Sequence, residues 1–164
     1  MKFLDKRVRV ICNELKRLCI KRRAAVNDLW YKKGNFIHPA DAEASAQEWL
    51  PFDSRTMHWY GPDGHYWFRV LFTVPQEWDG KPLWMHVRTQ IEEWDDGKNP
   101  QFLLFVNGAA TQGLDMNHRD VFLCEKAREG EQLCLELQAS TGTLHSEFNL
   151  IVEMQEIDAE IEAL

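Results

Sequence analysis

The sequence predicts a mainly β protein, a single β-sandwich of jelly-roll type that follows one N-terminal amphipathic α-helix. Short apolar segments of strand length recur along the chain, and turns rich in Gly and Pro separate them. Helical periodicity is almost absent after the first segment. The chain has 164 residues, enough for one domain with a substantial core and too few for two.

The N-terminal segment has the spacing of an amphipathic helix. Its apolar residues recur at alternating steps of four and three: Leu4, Val8, Ile11, Leu15 and Leu18. This pattern predicts a helix over residues 2–23, and we assign residues 1–24 to the helical segment. The opposite face is basic, with Lys6, Arg9, Lys16 and Arg17. Two interpretations stay open, because the stripe can pack on this or a neighbouring domain and the basic face can meet anionic lipid.

Residues 25–155 are predicted to form the sandwich. Residues 66–74 are the clearest strand, and Pro75 ends it. In the next strand, residues 83–89, Leu83, Met85 and Val87 share one face. Trp84, His86 and Arg88 share the other face. Further strands are predicted at residues 102–106, 121–123, 133–137 and 148–154, and residues 36–64 read as irregular loops held by aromatic side chains.

A hairpin in the middle of the chain carries the densest polar loop. Asn107-Gly108 predicts a type I′ turn, because both central residues of that turn need a positive φ. The returning segment then leads into a loop that contains Asp115, Asn117 and His118. These three residues are the first site candidates.

The charge distribution limits the classes of partner. The formal net charge is -7, which disfavours a nucleic-acid binder, since phosphate affinity comes from Lys and Arg. Nine basic and two acidic side chains fall in residues 1–23, so a basic helix precedes an acidic body. No apolar stretch reaches the length of a membrane span, and no signal peptide is recognisable.

The cysteines and the tail add two expectations. Cys12, Cys19, Cys124 and Cys134 form no Cys-x-x-Cys pair, and we expect buried free thiols in a cytoplasmic protein. Residues 156–164 form an acidic tail without a cap or a Gly stop. This tail is expected to begin a linker to a catalytic domain that is missing from the chain.

Two sequence blocks resemble the N-terminal domain of glycoside hydrolase family 38 α-mannosidases of the cytosolic and bacterial type. The first joins Tyr66-Trp67-Phe68-Arg69 to residues 74–81, and the second joins residues 104–108 to residues 112–121. Each block alone is weaker, because aromatic strands and Asn-Gly hairpins also occur in the galactose-binding-like sandwich domains of other glycosidases. The resemblance implies the non-catalytic front domain of an enzyme that removes terminal α-mannosyl residues.

The same resemblance implies that the chemistry lies outside this chain. The family's aspartate nucleophile and its zinc or other divalent metal belong to a following domain, so no catalytic or metal residue is assigned here. The carboxylates Glu92, Glu93, Asp95 and Asp96 are adjacent acids of the kind usually solvated. The implied partners are the catalytic domain of the same polypeptide, a mannoside ligand and a second copy of the chain.

The loop candidates and Trp94 have several interpretations. Asp115, Asn117 and His118 can bind a metal, contact a sugar or reach the catalytic domain. Alternatively, Asp115 and Asn117 bond the backbone of their own loop while His118 packs against the sandwich. Trp94 is the best candidate for an exposed contact, because it sits in an acidic loop without strand context.

Two function classes follow from these interpretations. The first is an interaction domain that docks on a catalytic domain and shapes its pocket, and the second is an independent carbohydrate-binding module for mannosides. The tryptophans that bear on this choice are predicted to be interior or interfacial rather than a sugar platform: Trp59, Trp78, Trp84 and Trp94. Trp67 is predicted to lie in the core.

Overall fold

The computed structural model describes residues 2–89, 100–115, 117–143 and 147–158. The first half contains α1 (Lys2–Cys19), β1 (Ile20–Val26), β2 (Leu29–Lys33), α2 (Pro39–Ala44), β3 (Leu50–Phe52), β4 (Trp59–Tyr60) and β5 (His65–Thr73). A 3₁₀ turn at Gln76–Trp78 precedes β6 (Leu83–Arg88). The second half contains β7 (Gln101–Val106), β8 (Ala109–Leu114), β9 (Asp120–Cys124), β10 (Gln132–Ser140), β11 (Glu147–Phe148) and β12 (Ile151–Ile157).

Two antiparallel sheets form the sandwich. The four-stranded sheet has the order β1-β12-β6-β9, and the six-stranded sheet has the order β3-β2-β5-β10-β7-β8. One core cluster contains Met85 and Met154 from the first sheet together with Phe68 and Leu135 from the second. The predicted class, a mainly β sandwich, is therefore confirmed. A third pair, β4 with β11, contributes Trp59 and Phe148 to the same core.

The N-terminal helix is shorter than predicted. It ends at Cys19, and Ile20–Val26 pairs with β12 instead of continuing the helix to residue 23. The Lys21-Arg22-Arg23 run suits an edge strand, because Lys21 forms an ion pair with Asp158 and exposed positions alternate with partly buried ones. At the other end, β12 extends to Ile157, so the predicted linker boundary at residue 156 falls inside a strand.

Three residues of the apolar stripe of α1 are exposed instead of packed on the sandwich. Val8, Ile11 and Leu18 are 52%, 58% and 64% exposed. The interpretation that the stripe covers this domain is therefore wrong for these three residues. None of the helices in the described residues has the length and apolar character needed to cross a lipid bilayer.

The central hairpin forms as predicted. Asn107 has φ 49° and Gly108 has φ 83°, so both central residues of the turn adopt positive φ. The Asn107 side chain also accepts a hydrogen bond from the Cys134 amide at 3.0 Å. This bond ties the turn to β10, which pairs with the first strand of the hairpin.

A strap formed by residues 34–49, including α2, covers the outer face of the six-stranded sheet. It buries a second apolar cluster of Ala42, Trp67 and Phe105. Trp67 is fully buried, as predicted, and donates its indole N–H to the Phe36 carbonyl at 3.2 Å. The predicted loops between residues 36 and 64 therefore contain a short helix, and they close one face of the sheet.

The cysteines and tryptophans divide between interior and surface. All four cysteines are free, but only Cys19 is buried; Cys12 is exposed, and Cys124 and Cys134 are partly buried. Trp59 and Trp78 are interior, as predicted. Trp84 is partly exposed on β6, and Trp94 lies outside the described residues, as do the four acidic residues 92, 93, 95 and 96.

Candidate ligand groove

The outer face of the four-stranded sheet holds a cluster of polar side chains on a concave surface. On β6, Leu83, Met85 and Val87 point into the core, so Trp84, His86 and Arg88 point outward. On β12, Val152 and Met154 point into the core, so Glu153 and Gln155 point outward. The alternation of two neighbouring strands thus places these polar side chains on one face.

Strand register sets the neighbours of each side chain. Glu153 lies opposite His86 and Gln155 lies opposite Trp84. On the flanking strands, Arg23 lies opposite Gln155 and Asp120 lies opposite His86. The resulting cavity has a volume of about 550 Å³, and we call it the outer groove. Its polar and aromatic lining consists of Arg23, Trp84, His86, Arg88, Asn117, Arg119, Asp120, Glu153 and Gln155.

The polar groups of the outer groove are linked to each other. His86 Nδ1 lies 2.5 Å from Asp120 Oδ1. Arg88 Nη2 donates to Glu153 Oε1 at 3.3 Å, and Gln155 Nε2 donates to the other oxygen of Glu153 at 3.4 Å. These contacts hold the side chains in place on strands, which suits a preformed binding surface.

Two arginines in the groove have N–H donors without a partner among the described residues. Arg88 Nε is buried and makes no hydrogen bond. The Arg23 side chain is exposed at the rim and makes no hydrogen bond or ion pair within the described part of the chain. At the rim, the groove therefore presents the N–H donors of Arg23 to an acceptor.

The polar loop of the central hairpin is held by Asp115. Its Oδ1 accepts hydrogen bonds from the amides of Asn117 at 2.7 Å and His118 at 2.8 Å, and lies 3.0 Å from His118 Nδ1. Partial burial acts to raise the pKa of Asp115, but the two amides and the His118 ring outweigh it and lower that pKa. Asp115 therefore bonds its own loop, as one interpretation predicted.

The predicted site residues are not gathered at one place. Asn117 lines the outer groove, whereas Asp115 lines a smaller cavity with Val87 and Phe102. The His118 side chain is 70% exposed, so it does not pack against the sandwich. Trp94, the fourth candidate, lies outside the described residues. Within the described ranges, no cluster of three or more His, Cys, Asp or Glu side chains is arranged to hold a metal ion.

Replacing Asp115 with alanine is expected to destabilise the loop. The substitution removes the acceptor of two backbone amides, and losses of this kind cost about 1 kcal/mol. Chemical denaturation and amide exchange of residues 117 and 118 measure the effect. Asp115→Asn is the control, because it keeps one acceptor oxygen and should retain most of the stability. Equal losses in the two variants would contradict the role of the hydrogen bonds.

Parts of several solved glycoside hydrolase structures have a fold similar to that of this chain. A protein from Bacteroides fragilis assigned as a β-galactosidase matches 84% of the chain with a TM-score of 0.55 and 14% identity. A β-glucuronidase from an uncultured Clostridium species matches 85% with a TM-score of 0.50 and 12% identity. The fold is shared with glycoside hydrolases. A Ruminococcus gnavus β-glucuronidase in complex with a C6-substituted uronic isofagomine matches 85% with a TM-score of 0.50 and 11% identity.

The matches cover only part of each enzyme chain. This chain spans only 24% of the first enzyme and 30% of the other two. No protein-family model matches the sequence, and no curated protein does. At these identities, the likeness establishes the fold alone.

The resemblance to family 38 α-mannosidases is wrong. The similar structures include a β-galactosidase and β-glucuronidases, and no family model supports a mannosidase. The sequence blocks misled because an aromatic strand before a Pro and an Asn-Gly hairpin are local features of many sandwiches. The expectations of a mannoside ligand and of zinc in a following domain lose their basis with this correction.

Proposed function

We propose that this chain is a non-catalytic β-sandwich domain of a longer glycoside hydrolase, and that it docks on the catalytic domain of the same polypeptide. The observation that carries the proposal is the asymmetry of the matches. The fold of about 84% of this chain corresponds to only 24% of a glycoside hydrolase chain. A domain of this size fits beside a catalytic domain. We also propose a cytoplasmic location, supported by the free cysteines.

The exposed stripe of α1 supports docking. Val8, Ile11 and Leu18 are each more than half exposed. Contiguous apolar side chains on a helix surface are typical of protein contact sites. The segment that follows α1 is anchored, because β1 pairs with β12 and the Asp158 amide donates to the Cys19 carbonyl at 2.8 Å. The C-terminal end of α1 is thus held in place, and the exposed stripe can contact a neighbouring domain.

The enzyme class is tested with the full-length gene product and the 164-residue chain side by side. Both are assayed with a panel of nitrophenyl glycosides that includes β-galactoside, β-glucuronide and α-mannoside. We expect hydrolysis by the full-length product and none by the isolated chain. Hydrolysis by the isolated chain would overturn the non-catalytic assignment, and an inactive full-length product on every glycoside would count against the enzyme class.

Charged substitutions in the stripe are expected to release α1 from its partner. In the full-length product, Ile11→Asp with Leu18→Asp should raise amide exchange throughout α1, since burying a carboxylate at an apolar contact costs about 2 kcal/mol or more. Lys6→Gln is the control, because it lies on the basic face and leaves the stripe intact. Unchanged protection in the double variant would contradict docking through α1. A dimer of the isolated chain that the same variant dissociates would assign the stripe to a second copy.

A further inference from the structure

We propose that the outer groove binds an acidic saccharide, with Trp84 against the sugar ring and Arg23 on its carboxylate. This inference goes beyond docking and does not depend on it. The groove volume of about 550 Å³ falls in the range of small-molecule sites, about 300–1,000 Å³. The groove is lined mainly by strands β1, β6, β9 and β12, with Cys19 at the end of α1, whereas the exposed stripe residues Val8, Ile11 and Leu18 do not line it.

The unpartnered guanidinium of Arg23 indicates a ligand with acceptor oxygens. A buried N–H without an acceptor is costly, so buried polar groups normally have a partner. Arg88 Nε is such a group, although the far end of the same guanidinium already contacts Glu153. Arg23, at the rim, adds a guanidinium that makes no hydrogen bond or ion pair with the described residues. An acceptor oxygen of a ligand at the rim satisfies Arg23, whereas Arg88 Nε lies beneath the surface and Arg88 lines the groove through the rest of its side chain.

The local charge indicates that this acceptor is an anion. Arg23, Arg88 and Arg119 line the groove against the carboxylates of Asp120 and Glu153. The groove is therefore locally positive in a chain whose formal net charge is -7. Guanidinium groups bind carboxylates through paired N–H donors, which gives them direction as well as charge.

The remaining groups of the groove indicate a ligand that has hydroxyl groups and a ring. Asp120 and Glu153 accept hydrogen bonds, so a ligand with hydroxyl donors suits them, whereas a phosphate without donors would be repelled. Gln155 and His86 also line the groove and add further polar atoms to it. Trp84 lies on the same face, held by an edge contact with Phe122 at 5.2 Å, and offers an aromatic surface for the C–H face of a pyranose. A ligand with a carboxylate, hydroxyl groups and a pyranose ring is a uronic acid.

The test is calorimetric titration of the 164-residue chain with D-glucuronate and D-galacturonate. D-glucose and D-galactose are the uncharged counterparts, and inorganic phosphate and acetate test for plain anion binding. We expect saturable binding of at least one uronate, at least tenfold weaker binding of its neutral sugar, and no saturation by phosphate or acetate. Equal binding of the neutral sugar would contradict the role of the arginines. Equal binding of phosphate or acetate would contradict the proposal that the ligand is a saccharide.

Variants locate the site. Arg23→Gln and Trp84→Ala should each weaken uronate binding at least tenfold. Arg55→Gln and Trp30→Ala are the matched controls, because they lie away from the groove on exposed parts of the chain. Circular dichroism checks folding, and Arg23→Gln is at an exposed position of an edge strand, where it leaves the core intact. No saturable binding of either uronate, or equal losses in the controls, would overturn the proposal without affecting the α1 docking test.

Discussion

Replacing Arg69 with methionine is expected to destabilise the protein by about 3–5 kcal/mol, because it leaves the buried carboxylate of Glu136 without its counter-charge. The Glu136 side chain is 4% exposed, and Arg69 donates to its Oε1 from Nη2 at 2.8 Å and from Nε at 3.1 Å. The guanidinium also lies 4.0 Å above the Trp49 ring. Urea unfolding followed by tryptophan fluorescence measures the loss.

Two further variants separate burial from pairing. Glu43 contacts the same guanidinium at 2.6 Å but is 64% exposed, so Glu43→Gln should cost less than about 1 kcal/mol. Hydrogen bonds from Arg69 and Trp49 lower the pKa of Glu43, so the contact forms at neutral pH. Combining Arg69→Met with Glu136→Leu should recover most of the loss, since neither charge then remains buried. A double variant as unstable as Arg69→Met alone would contradict this account.

The elements predicted from the sequence are those that depend on neighbouring residues. The Asn107-Gly108 turn follows from the φ that each residue tolerates. The two faces of β6 follow from the alternation of Leu83, Met85 and Val87 with polar residues, and the structure confirms it. The same alternation marked Trp84, His86 and Arg88 as a face, although it gave no indication of a groove.

The groove was missed because it depends on pairing between distant strands. Glu153 and His86 are far apart in sequence and become neighbours only through the register of β12 on β6. Arg23 joins them because β12 pairs with β1, and the sequence predicted that residue in a helix. Tertiary pairing overrode the local helical pattern of the Lys-Arg-Arg run. Of the three candidates in the hairpin loop, Asn117 is therefore the one that lines the groove.

Replacing Trp59 with alanine is expected to destabilise the protein by about 3–5 kcal/mol. The side chain is 1% exposed and lies within 5.1–5.6 Å, between ring centroids, of four other rings: Tyr66, Phe68, Phe102 and Phe148. Its indole N–H also donates to the Asn149 carbonyl at 3.2 Å. The substitution leaves a large void where the small β4–β11 sheet meets the main core, and the surrounding rings can close it only in part.

Trp30→Ala is the matched control, since the same side chain is removed from a position that is 38% exposed on β2. It should cost about 1 kcal/mol or less, because surface substitutions outside the core have small effects. Trp59→Phe should fall between the two alanine variants, since it keeps most of the ring contacts and loses the hydrogen bond to Asn149. Urea midpoints of the three variants give this order directly. A Trp59→Ala midpoint close to that of Trp30→Ala would show that the aromatic cluster contributes little to holding the end of the sandwich.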